Sequence, residues 1–113
     1  MRSSEAGLRL RIFVHECVRH GHQPLYAALV ALAHREGLAC AVAFRGSEGF
    51  GLHHHLHTTR LVDVSDDLPM IVEIVGSAPA IRRFVPVLEE MIPHGTATLS
   101  PVQIMHYRPG QGA

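Results

Sequence analysis

The chain of 113 residues has no lysine and no tryptophan, and only two cysteines. Without lysine, a phosphate could be held only by arginine or by backbone amides. Cys17 and Cys40 are too few for a disulfide-stapled scaffold, no CxxC is present, and both are read as reduced thiols. Long apolar runs are also missing. The longest, residues 25–33, is far short of the roughly 20 residues a bilayer requires, and the opening MRSSEAG has no apolar centre of the signal-peptide kind. These features predict a cytoplasmic protein with no membrane insertion. Charge of one sign is absent as well: ten arginines are balanced by ten acidic residues. That leaves no broad positive field for nucleic acid, so no nucleic-acid partner is expected. The length allows one compact domain and excludes two with separate cores.

What is present is a globular composition, 47% hydrophobic and 18% charged, with ten histidines. Seven of the ten lie within residues 15–22 and 53–57. An ordinary imidazole titrates near pKa ~6.5, so a fall of about one pH unit would add several positive charges together.

Leu8, Leu10, Ile12 and Val14 alternate with Arg9, Arg11, Phe13 and His15, the period-2 pattern of a strand with two unlike faces. After the breaker stretch at residues 20–23, Pro24 suits a first helical position, and Leu25, Ala28, Leu29, Leu32 and Glu36 follow at helical spacing until Gly37. Residues 38–44 (LACAVAF) read as an interior strand buried on both faces, with Cys40 in the packing. Residues 46–57 (GSEGFGLHHHLH) have three glycines, four histidines and no helical period, which predicts a long loop. Residues 58–64 allow a brief pairing, residues 65–67 a turn, and residues 68–75 (LPMIVEIV) a strand. Ser77 can cap a second helix with apolar positions Ile81, Phe84, Val85, Leu88, Met91 and Ile92; Pro86 either kinks it or marks a later start. A final strand spans residues 97–107, with frayed ends at 1–6 and 108–113.

This order gives an α+β, ferredoxin-like βαββαβ sandwich, a four-stranded antiparallel sheet with two helices on one face. The other face is left bare, which predicts burial against further copies of the chain.

The run Arg45-Gly46-Ser47-Glu48-Gly49-Phe50-Gly51, followed by His57-Thr58 and Asp66-Asp67-Leu68-Pro69, with Pro24-Leu25-Tyr26 opening the first helix, resembles the PII-like group of small bacterial proteins (domain of unknown function 190). The likeness covers about residues 8–107 and implies membership of the nitrogen-regulatory PII-like superfamily. It implies a homotrimer with inward-facing sheets and, after the second strand, a long loop like the partner-contacting T-loop of PII signalling proteins. It also implies an adenine nucleotide between subunits and a transporter or enzyme as partner. Effector contacts are then expected at Arg45, Gly46, Glu48, Gly49, Phe50, Gly51, His57 and Arg60. Where the group commonly has a lysine before the helix proline, this chain has His22-Gln23-Pro24. Phosphate contacts would fall to Arg45, Arg60 or Arg108, or to amides around Gly95.

Other constellations carry alternative chemistry. In an extended segment, His53, His55 and His57 project to one side about 6–7 Å apart, suited to zinc, copper or nickel; otherwise they form a solvated loop tip. His15 and Cys17 would pair toward a soft metal if the first strand continued, and otherwise Cys17 is a small buried hydrophobe. GSEGFG lacks both mononucleotide fingerprints. Phe50 is either a partner anchor or folds back on the core. Glu73 is expected to pair with Arg9 or Arg11. No nucleophile–base set is legible, so no catalytic residue is assigned, and an enzyme would have to use His57 with Glu48 as a hydrolase or isomerase. The readings are a PII-like regulatory protein first and a His-loop metal protein second.

Overall fold

The computed structural model describes residues 2–49, 57–58 and 68–109, the backbone alone at 57 and 58. Eight strands and two helices appear among them: β1 (Arg2–His15), β2 (Arg19–His20), β3 (Gln23–Pro24), α1 (Leu25–Arg35), β4 (Cys40–Arg45), β5 (Glu48–Gly49), β6 (His57–Thr58), β7 (Pro69–Ser77), α2 (Ala78–Met91) and β8 (Thr96–Tyr107). The main sheet has the order β4-β7-β1-β8, with every neighbouring pair antiparallel. Two helices cover one face, which is the predicted ferredoxin-like sandwich.

The core follows directly from the alternation in the central strands. Leu10, Ile12, Val72 and Ile74 face the helices and meet Leu25, Leu29, Ile81 and Phe84, all essentially sealed from solvent. α1 closes at Gly37, whose φ of +73° is costly for any residue with a Cβ. Beyond it the Leu38 N–H donates to the Ala33 carbonyl at 3.1 Å, a Schellman closure that returns the chain toward the sheet. Pro24 stands one residue outside α1, as its N-cap. The Ser77 hydroxyl caps α2 by accepting from the Ala80 N–H at 3.3 Å, and the helix runs continuously through Pro86 to Met91.

Three expectations are corrected. Among the described residues β4 is an edge strand, paired with β7 alone. Ala41 and Ala43 pack beneath α1, whereas Val42 and Phe44 are 48% and 43% exposed on the uncovered face. Cys40 is therefore exposed rather than packed, and Cys17 is exposed in the turn after β1. Finally, residues 2–6 are not frayed: they extend β1 and pair with residues 103–107 of β8. They show no hydrophobic alternation because no helix covers them; backbone pairing with β8 and a Glu5–His106 contact at 3.0 Å hold the arm.

Candidate functional site

The uncovered face and the root of the loop after β4 meet at one end of the sheet. Register lines up Phe44, Ile71 and Phe13 across β4, β7 and β1, and in the next layer Val42, Glu73 and Arg11. Glu73, set in an otherwise apolar strand, accepts from Arg11 Nε at 2.7 Å, and Arg9 Nε stands 3.7 Å from the same oxygen. This is the cross-strand pairing expected of Glu73. Both partners are partly exposed in the single chain, so the pair is worth at most about 1 kcal/mol there.

Arg45, the last residue of β4, pairs through Nη2 with Glu16 Oε2 just beyond the end of β1. The Glu16 side chain is only 16% exposed, that of Arg45 59%. Glu16 also donates its backbone N–H to the Leu68 carbonyl at 2.8 Å, and Gly46 donates to the Pro69 carbonyl at 2.8 Å. Both ends of the segment after Arg45 are thus fastened at one place. Gly46 and Gly49 lie against Pro69: a Cβ on them would stand 3.0 Å and 3.3 Å from its Cγ, which explains small residues there. Above this root β5 and β6 pair Glu48 with Thr58 and Gly49 with His57. A cavity of about 230 Å³ opens between the root and the sheet, lined by Phe13, His15, Gly46, Glu48, Pro69 and Ile71. It offers an apolar floor, backbone amides at a glycine-rich rim and two titratable groups, with the Arg45–Glu16 pair beside it.

Of the expected effector contacts, Arg45, Gly46, Glu48 and Gly49 come together here, with His57 at the backbone level. Phe50, Gly51 and Arg60 lie outside the described residues, as do His53, His54 and His55. Gly95 belongs to the same end of the sheet, where a Cβ on it would stand 3.0 Å from the Phe13 carbonyl oxygen. Arg108 follows the far end of β8, and at about 3.3 Å per residue that strand puts it roughly 40 Å from the root within one chain. Among the described residues no group of three histidine, cysteine or acidic side chains could hold a metal. β1 ends at His15, where the Val18 N–H turns back to the His15 carbonyl at 3.2 Å, so the extended spacing that would align His15 with Cys17 is not realised. Glu16, Phe13 and Leu68 were missed as site residues by sequence reasoning. Leu68 stood in the Asp66-Asp67-Leu68-Pro69 motif and Phe13 in the strand alternation, but neither pattern assigned them to a site, and Glu16 stood only beside His15. A second, open apolar groove of about 700 Å³ lies between α1 and β4, lined by Tyr26, Val30, His34, Leu38, Cys40 and Val42. Among the described residues no helix is long and apolar enough to cross a membrane.

In sequence the chain is 32% identical over 99 residues to a UPF0166 protein of Aquifex aeolicus (strain VF5), covering 86% of this chain and 91% of that one. In structure it is similar to CPII, a nitrogen regulatory PII-like protein of Thiomonas intermedia K12 bound to ADP, AMP and bicarbonate. That match has a TM-score of 0.58 at 16% identity and covers 90% of this chain and 91% of that one. It is also similar to a PII-like protein of Thermus thermophilus, with a TM-score of 0.53 at 16% identity and 91% of each chain covered. At such identities these structures establish the shared fold. Residues 7–104 match the family described as uncharacterized ACR, COG1993, and the chain therefore belongs to the DUF190 family, with a PII-like fold.

Proposed function

We propose that the protein is a cytoplasmic PII-like regulator, a homotrimer that binds an adenine nucleotide beside the Arg45 root and signals to a protein partner through the segment that begins there. The observation that carries this reading is the convergence of both loop roots on Glu16, through the Arg45 side chain and the Leu68 carbonyl, next to a cavity. An anionic ligand that engages Arg45 competes with Glu16 and so alters how the two roots are held. The nucleotides bound by CPII, which has the same fold, support the choice of ligand. The uncovered sheet face, with Phe13, Val42 and Phe44 exposed, supports assembly.

Calorimetry and thermal unfolding with ADP and ATP test the proposal. A ligand selective for the folded state stabilises it by about 2.7 kcal/mol at a hundredfold excess over its Kd. Arg45→Ala is expected to weaken nucleotide binding about tenfold or more, since hydrogen bonds to charged groups are worth about 1.5–3 kcal/mol. Adenine nucleotides that shift nothing would overturn it. A strong shift with zinc, copper or nickel that alanines at His53, His54 and His55 remove would assign the loop to metal instead.

A further inference from the structure

We propose that the assembled protein holds a small oxyanion, of the inorganic sulfate or phosphate kind, at Arg9 on the sheet face that the helices leave uncovered. The inference rests on the trimeric reading above, because covering that face is what makes the charge costly. Arg9 Nε is buried yet has no hydrogen-bond partner among the described residues. The nearest carboxylate oxygen, on Glu73, is 3.7 Å away and already accepts from Arg11 at 2.7 Å. One carboxylate therefore faces two guanidinium groups, leaving one positive charge in surplus on each copy.

The remaining described groups around Arg9 supply no countercharge. Register puts Val75 of β7 and Ser100 of β8 opposite it, with Thr98 opposite Arg11, and Cys40 of β4 beyond Val75. Glu5, the next acidic residue on this face, is four residues along β1, about 13 Å away, and its carboxylate contacts His106 Nε2 at 3.0 Å. Phe13, Val42 and Phe44 make the adjoining surface apolar. When other copies cover the face, water leaves and the surplus charges of all copies lie in low dielectric, where an unpaired ion is strongly disfavoured. The Arg9 side chain is 36% exposed although its Nε is covered, so a turn of the side chain brings the Nε–H and an Nη–H to the open face as two parallel donors, the fork that matches an oxyanion. Arg9 is thus the oxyanion ligand, and the site is completed by assembly.

Light scattering coupled to size exclusion reports the assembly, while thermal unfolding is followed as sulfate replaces chloride at constant ionic strength. Wild type is expected to remain trimeric and to gain melting temperature saturably. Arg9→Met is expected to remain trimeric and lose that saturable gain, keeping only the linear drift of general salt exclusion. Glu73→Gln enlarges the charge surplus and is expected to steepen the sulfate dependence, which tests the site independently should Arg9→Met fail to fold. A trimer whose sulfate response is the same in wild type and in Arg9→Met, or unchanged in Glu73→Gln, overturns the anion site and leaves the trimer standing. A wild-type monomer at every sulfate concentration overturns both.

Discussion

Gly7 sits where β1 is flanked by β7 and β8, opposite Ser77 on one side and Val102 on the other. A Cβ there would stand 2.6 Å from the Gly76 carbonyl oxygen, a backbone atom that cannot swing aside as a side chain can. Gly7→Ala is therefore expected to lose about 1–3 kcal/mol, the usual cost of overpacking, read as a lower urea midpoint at unchanged m-value. Neither this need nor the Arg45–Glu16 pair was legible in the sequence. Gly7 appears there as an ordinary strand edge, and Arg45 and Glu16 are 29 residues apart with no motif joining them. What could be read at this scale was the alternation of Leu8, Leu10, Ile12 and Val14, because one face of β1 must be apolar throughout while the other carries Arg9 and Arg11.

Among the elements, α1, α2 and β7 follow their sequence patterns to within a residue or two, since each has one face committed to the core. β4 does not. Its run of seven apolar residues looks the same whether the chain itself covers both faces or covers one and leaves the other to an assembly, so periodicity could not tell an edge strand from an interior one. The start of β1 was hidden for the opposite reason: residues 2–6 pair with β8 and bury nothing. The end of β1 has a specific role, since Glu16 ties the last residue of β4 to the approach to β7. If its carboxylate competes with the ligand for Arg45, Glu16→Gln releases the guanidinium and nucleotide binds more tightly. The gain should stay below about tenfold, since a partly exposed ion pair is worth about 1 kcal/mol or less. Calorimetry with ADP on both proteins measures it. Weaker binding in the variant would show instead that Glu16 holds Arg45 in the orientation the ligand needs.

For the molecule as a whole, the uncovered face sets the problem. Phe13 and Phe44 are 38% and 43% exposed, and register places them in one line with Ile71, beside Val42 at 48%. Contiguous apolar surface of this kind is uncommon on a monomer and marks an interaction site. Because Phe44 points away from the helices, a substitution there leaves the core untouched. Phe44→Glu puts a carboxylate into the apolar part of the face, away from the Arg9 and Arg11 guanidiniums, where assembly would bury it without a partner. If the chain assembles as the proposed trimer, the expected result is a protein with wild-type far-ultraviolet circular dichroism whose mass by light scattering falls from three chains to one. Its melting temperature should also stop rising with protein concentration, because mass action no longer couples folding to association. A wild type with the mass of one chain would overturn the proposed trimer, and a variant that keeps the mass of three chains would place the contact at the open edges of β4 and β8 rather than across the face between them.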